Sequence, residues 1–218
     1  MTDYAVARHN MVQSQVRTNK VTNERLLAAM SELPRESFLP QARRGVAYVD
    51  EDIPIDHGRY LMEPMVLARL LQCAEARPDD LGLVVGCATG YGAAVLARLC
   101  GTVVALENRP SLVEQATTLL TDLGVDNAAV VEGPLVEGYP KQAPYDVILF
   151  GGAVAQIPDA LAAQLAEGGR MLAVVANDSG MGCATLFTCR TGALSERVLF
   201  DAATPLLPDF EKQPGFVF

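Results

Sequence analysis

The chain has 218 residues, half of them hydrophobic, and carries a formal net charge of -9 with a pI near 4.7. A chain of this length can bury a full hydrophobic core, so we expect one domain over residues 1–218. The acidic balance argues against a nucleic-acid partner, because such binding needs clustered Lys and Arg to neutralise phosphates. Arg8, Arg17 and Lys20 come nearest to a cluster, and their spacing is more typical of a solvated helix face.

The N-terminal sequence and the cysteines indicate the compartment. The start lacks the basic and apolar regions of a secretory signal, and no apolar run reaches roughly 18 residues. We therefore expect a soluble, cytoplasmic protein without a membrane partner. An odd number of cysteines, with no C-x-x-C pair and no nearby His, predicts reduced, mostly buried thiols and no metal site. The five are Cys73, Cys87, Cys100, Cys183 and Cys189.

The first 77 residues are expected to form a helical N-terminal extension with a long loop. Apolar residues within 21–33 recur at the spacing of one helix face, and Pro34 ends that helix. Residues 40–64 are rich in Pro, Gly and Asp, which predicts an ordered surface loop. A second helix is expected over 64–77, because Pro64 suits its first turn.

The core, over 78–218, alternates between apolar runs typical of strands and helical patterns. This rhythm predicts an α/β fold with a central, mostly parallel sheet flanked by helices. A helix over 158–165 is expected to close at Gly168 and Gly169, and the last two strands are close enough to pair as a hairpin. The expected strands are 81–85, 102–106, 128–131, 147–150, 171–175, 184–188 and 197–201, and the other expected helices are 93–99 and 112–123.

A glycine-rich loop over 86–92 follows the first of these strands. It occupies the turn from strand to helix, where a doubly wound fold binds its ligand, and glycines there let the backbone approach that ligand closely. Glu107 ends the next strand about 20 residues further on, where a carboxylate can accept hydrogen bonds from both ribose hydroxyls of an adenosine. The simplest alternative is an ordinary strand-to-helix turn with an exposed acid.

The spacing of this loop disfavours a nicotinamide dinucleotide. The pattern G-x-G-x-x-G would place its third glycine at Tyr91, a bulky aromatic residue. Glycines at the first, third and fifth positions are the methyltransferase form of the loop. Gly86 and Gly90 fit that form, with Ala88 between them.

From about Met11 to Val175 the chain resembles the protein-L-isoaspartate O-methyltransferase family. The resemblance implies a Rossmann-like S-adenosylmethionine-dependent methyltransferase fold. It also implies transfer of a methyl group from S-adenosylmethionine to the carboxylate of isoaspartyl residues in proteins, which starts their repair. The matching pieces are Met11-Val12, Gln15-Val16-Arg17, the run RESFLP from Arg35, Ala47-Tyr48, Pro54, His57-Gly58, Pro64, GYGAAVLARL from Gly90, Glu107, Pro144-Tyr145-Asp146, Ile157-Pro158 and LAEGGRML from Leu165.

The resemblance also implies the residues of the site. Methyl transfer to a carboxylate needs alignment and dehydration of two charged reactants more than a strong base, so no catalytic residue is assigned. The acceptor would meet a substrate loop comprising His57, Gly58, Arg59, Tyr60 and Met62. The residues expected to bind S-adenosylmethionine or S-adenosylhomocysteine are Gly86, Cys87, Ala88, Gly90, Tyr91, Glu107, Asn108, Gly133 and Pro134.

Four of the family's ligand positions differ in this chain. Val84 and Pro134 stand where the family has acids, and each change is expected to remove a cofactor contact of roughly 1–3 kcal/mol. Ala88 replaces a glycine, at roughly 1–2 kcal/mol if its backbone is left-handed. Met62 replaces the Ser that contacts the substrate carboxyl, and the nearby Arg59 and Tyr60 are side chains able to donate a hydrogen bond in its place.

These changes leave three hypotheses open. The first is an active isoaspartyl carboxyl methyltransferase with a relaxed cofactor site. The second is a protein of the same fold that has lost the chemistry and acts by binding. The third is a methyltransferase with a different acceptor, suggested by the apolar Met62 and the aromatic Tyr60. The oligomeric state is not predicted.

Three smaller features have two interpretations each. His57 is either catalytic or, as is more common, a loop histidine hydrogen-bonded to backbone. Gly151 and Gly152 either shape the pocket floor or form a loose strand-to-helix turn. The apolar tail 216–218 is expected to pack back on the domain rather than against a partner.

Overall fold

The computed structural model describes residues 3–177 and 182–211. Its centre is a seven-stranded sheet with the strand order β5-β4-β3-β6-β7-β8-β9, and a short antiparallel pair, β1 and β2, lies outside it. The strands are β1 Ile53–Pro54, β2 Tyr60–Leu61, β3 Leu81–Val85, β4 Thr102–Glu107, β5 Ala128–Glu132, β6 Tyr145–Val154, β7 Leu165–Ala176, β8 Gly182–Arg190 and β9 Ala193–Ala202.

Local sequence signals account for where several helices begin. Side-chain oxygens of Asp3 and Asn23 accept backbone N–H groups in the first turns of α1 and α2. A proline occupies the first turn of α3 and of α5, where its missing N–H costs nothing. The helices are α1 Tyr4–Met11, α2 Glu24–Glu32, α3 Pro64–Ala74, α4 Tyr91–Ala97, α5 Pro110–Asp122 and α6 Asp159–Ala162.

The connections place a topological switch at the carboxyl end of β3. From β3 the chain builds β4 and β5 on one side and then crosses to add β6 and β7 on the other side, all in parallel. The β7–β8 and β8–β9 pairs are antiparallel. Open α/β sheets bind ligands at such a switch, so the fold places the glycine loop where a ligand site is expected.

The N-terminal extension packs directly on the sheet. Helices α1, α2 and α3 share one continuous buried cluster with side chains of β3, β4 and β6. The buried Arg35 donates to the backbone oxygens of Ala47 and Met62, at 2.7 and 2.8 Å. These bonds hold the loop that precedes α3 near the carboxyl ends of the strands.

The mostly parallel core and the final hairpin confirm the sequence-based expectations. The positions expected for two glycine pairs were wrong. The expected helix over 158–165 is only the four-residue α6, and Gly168 and Gly169 lie inside β7 rather than after a helix. Tyr145 already pairs with Leu165, so β7 begins directly after the helix and the glycines absorb a shift in register. Gly151 and Gly152 likewise lie inside β6, so the loose turn proposed for them is wrong.

Within the described part of the chain, no helix combines the length and the apolar character needed to cross a bilayer. The expectation for the tail 216–218 falls outside the described residues.

Candidate functional site

The glycine loop has the backbone shape that its glycines allow. Gly86, Ala88 and Gly90 have φ angles of 72°, 51° and 98°. Only glycine adopts this region without strain, so Ala88 carries the cost expected for a left-handed alanine. The loop is fixed to the end of β4, because the N–H groups of Gly86 and Cys87 both donate to Leu106 O.

Glu107, the last residue of β4, is completely buried beneath this loop. Its Oε2 accepts the N–H of Ala88 at 3.0 Å, and its Oε1 accepts the N–H groups of Asn108 and Arg109 at 2.9 and 3.2 Å. The carboxylate is therefore oriented by the backbone on both sides. This position, at the end of the second core strand, is the one predicted for the acid that accepts from ribose hydroxyls.

The remaining hydrogen-bonding capacity of Glu107 is taken by Arg59. Arg59 Nε lies 3.1 Å from Oε2 and Arg59 Nη2 lies 3.0 Å from Oε1, and neither side chain has any exposed surface. Nη2 also donates to Asn108 Oδ1 at 2.8 Å. Such a two-pronged, buried contact is the strongest form of an Arg–carboxylate pair. The guanidinium thus occupies the place where a ribose diol would bind.

A second part of the chain covers the loop. Residues 203–211, which we call the closing segment, follow β9 and cross the carboxyl ends of β3 and β6. A Cβ at Gly86 would lie 2.9 Å from Leu207 Cδ2, and one at Gly152 would lie 2.8 Å from Leu207 Cγ. Leu207 therefore packs directly on the first glycine of the loop.

The closing segment is held by backbone and by aromatic packing. Ala153 N donates to Pro205 O and Leu207 N donates to Ala153 O, at 2.9 and 2.8 Å. Phe210 packs edge-on against Phe150, with 5.6 Å between ring centroids. Ala153, near the end of β6, also forms a parallel β-bridge with Leu206. Leu207 is buried.

A cavity of only about 30 Å³ remains beside the loop, lined by apolar side chains such as Val84 and Met62 together with Ala88 and Tyr91. Pockets that enclose a ligand of drug size measure roughly 300–1,000 Å³. The space left is on the order of one water molecule. Tyr91, predicted to contact the cofactor, is buried against Phe38.

The remaining cofactor-side residues lie around the closing segment. Asn108 Nδ2 donates to Asp209 Oδ2 at 2.7 Å, which joins the end of β4 to the segment. The N–H of Gly133 donates to Glu107 O. Pro134 lines a groove of about 760 Å³ on the far side of Asp209 and Phe210. Pro134 has no N–H and no carboxylate, so that groove lacks the acid of the family pattern.

The residues of the predicted substrate loop separate into different surroundings. Arg59 binds Glu107 in this structure, so its suggested role at the substrate carboxyl stays a prediction. Met62 is buried and faces the small cavity, whereas Tyr60 is half-buried in β2. Gly58 has φ of 74° and lies against Pro208 of the closing segment.

His57 is not part of the buried site. Its side chain is 47% exposed, and its Nε2 lies 3.3 Å from the Asp56 carboxylate. The partner is therefore a neighbouring side chain rather than backbone, and no contact joins His57 to Glu107. This placement gives no support to a catalytic role.

The cysteines carry no metal site and no activated nucleophile. All five are free, with Cys87 and Cys100 buried and the other three half-buried. Burial, and then the charge of Glu107, raise the pKa of Cys87, which disfavours its thiolate. In 3–177 and 182–211, no group of three or more His, Cys, Asp or Glu could hold a metal ion.

Comparison with known proteins decides the family. The model of the family described as Protein-L-isoaspartate(D-aspartate) O-methyltransferase (PCMT) matches residues 7–196. The Protein-L-isoaspartate O-methyltransferase of Koribacter versatilis is 41% identical over 172 residues, which are 79% of this chain and 78% of that protein. The corresponding protein of Methanoculleus marisnigri is 39% identical over 77% of this chain and 76% of its own length. The chain belongs to the protein-L-isoaspartate O-methyltransferase family.

Solved structures agree with this assignment. A protein-L-isoaspartate O-methyltransferase superposes with a TM-score of 0.80 at 26% identity, over 92% of this chain and 65% of that one. A candidate member of the family from Plasmodium falciparum, solved in complex with S-adenosyl-L-homocysteine, gives 0.77 over 94% of this chain and 98% of that one. At 18% identity that second match supports the fold alone. The Rossmann-like methyltransferase fold expected from the resemblance is confirmed.

S-adenosylmethionine, or S-adenosylhomocysteine after transfer, is the cofactor of this family. In this conformation the residues do not fit S-adenosylmethionine. Arg59 uses the two Glu107 oxygens that a ribose would need, and Leu207 lies on the loop that would hold the ligand. Either both groups move when the cofactor binds, or the site has lost it.

Sequence reasoning placed the loop and Glu107 at the ends of neighbouring strands, where the structure also has them, but it did not anticipate the closing segment. The run Leu206-Leu207-Pro208 is apolar and follows the predicted hairpin, which was the available signal. Nothing in its local pattern shows that it returns to Gly86. The role of Arg59 was also missed, because Arg59 and Glu107 are 48 positions apart.

Proposed function

We propose that this chain is an S-adenosylmethionine-dependent carboxyl methyltransferase that acts on L-isoaspartyl residues of proteins. The observation that carries the proposal is the preserved cofactor framework at the sheet switch. Gly86, Ala88 and Gly90 keep the positive φ angles of the loop, and Glu107 is held beneath them at the end of β4. Ala88 keeps this backbone at the cost of strain, which favours a loop whose shape is still used.

The proposal assigns roles to this chain's residues in a form with Arg59 withdrawn. The Glu107 carboxylate would accept the ribose hydroxyls, and the backbone of the loop 86–90 would support the remainder of the cofactor. Asn108, Gly133 and Pro134 would border its adenine end. The apolar lining of the small cavity beside Met62 would disfavour water at the point where a charged acceptor arrives.

The acceptor would approach through a neighbouring groove. A groove of about 690 Å³ lies between the segment 37–44 and α5, and it shares Ile55 and Thr89 with the small cavity. It therefore leads from the surface to the glycine loop. The groove carries one basic side chain, Arg44, that could face the extra carboxylate of an isoaspartyl site. A protein or peptide chain fits this open shape better than a free metabolite.

The proposed partners are therefore isoaspartyl-containing proteins, encountered in the cytoplasm. The net charge of -9 continues to argue against nucleic acid.

The direct test is methyl transfer from labelled S-adenosylmethionine to a peptide containing L-isoaspartate. We expect labelled ester with this peptide and none with the same peptide containing ordinary aspartate. Glu107→Gln should abolish transfer, whereas Asp122→Asn, on the exposed end of α5, should leave the rate unchanged. Absence of ester above background from the wild-type protein would exclude the proposed activity under those conditions of cofactor and peptide.

A second candidate function is binding without methyl transfer. The observation in its favour is the fully buried Arg59–Glu107 pair, which removes the ribose contact altogether. Calorimetry with S-adenosylhomocysteine separates the two candidates, since a micromolar dissociation constant excludes a lost cofactor site. A methyltransferase with another acceptor remains the third candidate. It would be favoured if the protein binds the cofactor but transfers no label to the isoaspartyl peptide.

A further inference from the structure

We infer that Arg59 and the closing segment form one internal plug, which competes with the cofactor for its site and is released as a unit together with the substrate loop. The inference rests on the proposed function, because it takes the site over Gly86 to be the cofactor site. It concerns the regulation of that site rather than the identity of its ligand.

Both halves of the plug occupy ligand positions. Arg59 binds the two oxygens of Glu107 that a diol would use, at 3.1 and 3.0 Å. Leu207 is buried and packs directly on Gly86, the first glycine of the loop. On the proposed function, the cofactor and Arg59 exclude one another, because they would share the same carboxylate oxygens.

Two contacts join the halves to each other. Asn108 accepts Arg59 Nη2 at its Oδ1 and donates its Nδ2 to Asp209 of the closing segment, at 2.8 and 2.7 Å. A Cβ at Gly58 would lie 2.8 Å from Pro208 Cγ, so the residue before Arg59 is in contact with the same segment. Withdrawal of the segment removes support from Arg59, and withdrawal of Arg59 removes a partner of Asn108.

The closing segment is attached to the sheet by few backbone hydrogen bonds, so it can be displaced. Three backbone hydrogen bonds join it to β6 and the residue just beyond, through Ala153 and Ala155. Asp209 is exposed and has φ of 76°, a conformation that Asp and Asn tolerate better than other non-glycine residues. A segment attached by so few backbone hydrogen bonds opens at lower free energy than the fully paired strands of the sheet.

The plug links cofactor binding to the substrate loop. The substrate loop carries Arg59, so the cofactor, by displacing Arg59, would also release the loop that meets the acceptor. The apparent dissociation constant for the cofactor equals the intrinsic constant divided by the fraction of open molecules. Any substitution that loosens the plug without touching the ligand contacts should therefore tighten cofactor binding.

The experiment titrates S-adenosylhomocysteine by calorimetry into the full-length wild type and three variants. Asp209→Ala removes the acceptor for Asn108 and disfavours the positive φ, whereas Asp209→Asn keeps both and is the matched control. Leu207→Ala removes the side chain above Gly86. We expect Asp209→Ala and Leu207→Ala to tighten the dissociation constant by about 3- to 10-fold, with Asp209→Asn equal to wild type.

A second readout reports release of the plug without any cofactor. Cys87 is buried in the covered loop, so its rate of maleimide labelling, resolved by mass spectrometry, measures opening of the site. We expect faster labelling of Cys87 in Asp209→Ala and Leu207→Ala. Cys100 is buried in the core, and burial raises its pKa to about 12, so its labelling reports general unfolding.

The outcomes separate the plug from the proposed function. Unchanged affinity and unchanged Cys87 labelling in both loosening variants would overturn the plug, even if the wild type binds the cofactor. Faster labelling of Cys87 alone, with no binding by any variant, would support joint release but refute a cofactor site. Equal acceleration of Cys87 and Cys100 would overturn the plug in favour of global destabilisation.

Discussion

The ion pair between Arg59 and Glu107 sets the strongest expectation at the scale of single residues. Both side chains are fully buried, and the carboxylate also orders three backbone N–H groups. Removal of one partner of such a pair leaves an uncompensated charge inside the protein. Replacement of both charged side chains by uncharged ones lowers the free energy of unfolding far less.

Arg59→Met should therefore lower the free energy of unfolding by about 3–5 kcal/mol, and the double variant Arg59→Met, Glu107→Gln should recover most of that loss. Urea denaturation of the two single variants and the double variant gives the coupling energy. Arg17→Met provides the control, because Arg17 and Glu24 form an exposed pair whose loss should cost less than about 1 kcal/mol. A loss of that small size for Arg59→Met would contradict the assigned burial of the pair.

At this scale the sequence predicted the identity of the site residues better than their contacts. Glu107, Asn108 and the loop glycines follow from a strand-loop-helix pattern that is local in sequence. The partners of Arg59 and Leu207 depend on long-range packing, which no local spacing encodes. Arg59 was consequently assigned to the acceptor, although it binds the carboxylate of the cofactor site.

Among the elements, the start of α3 has the clearest dependence on pH. Glu63 precedes α3, and its pKa is raised to about 7, first by burial and then by the nearby Asp50 and Asp52. Glu51 adds to the increase, whereas the buried Arg35 opposes it. Because the folded protein binds the Glu63 proton more tightly than the unfolded chain, this group favours folding at low pH. Its contribution is lost as the pH rises from about 4.5 to about 7.

Glu63→Gln should therefore stabilise the protein relative to wild type at pH 8, with the difference shrinking towards pH 5. Chemical denaturation of both proteins at these two pH values measures the effect. A constant difference between them would show that ionisation of Glu63 does not carry the pH dependence.

The strands and most helices could be predicted from apolar runs and turn residues, but β7 begins six residues before the predicted strand 171–175 and β6 extends four residues beyond the predicted 147–150. The expected strand 81–85 is β3 itself, and the hairpin of β8 and β9 was also anticipated. The errors fall at Gly151–Gly152 and Gly168–Gly169. Glycine usually signals a turn, but here it permits close backbone approach and a register shift within strands, as Gly151 shows against Gly86 O.

At the scale of the whole molecule, one chain supplies both the methyltransferase fold and the groups that occupy the proposed cofactor site. The scaffold places the loop 86–90 and Glu107 at the sheet switch. The N-terminal extension contributes Arg59, and the closing segment returns from the opposite end of the fold. Composition and periodicity predict such a scaffold. That Arg59 and the closing segment, which are far apart in sequence, lie at one site is visible only in the folded structure.

The most direct test of this account is a crystal structure of the protein grown with S-adenosylhomocysteine. We expect the ligand's ribose hydroxyls on the Glu107 carboxylate, Arg59 withdrawn from it, and Leu207 displaced from Gly86. A structure that holds the ligand elsewhere, with the Arg59–Glu107 pair and the closing segment unchanged, would contradict the account.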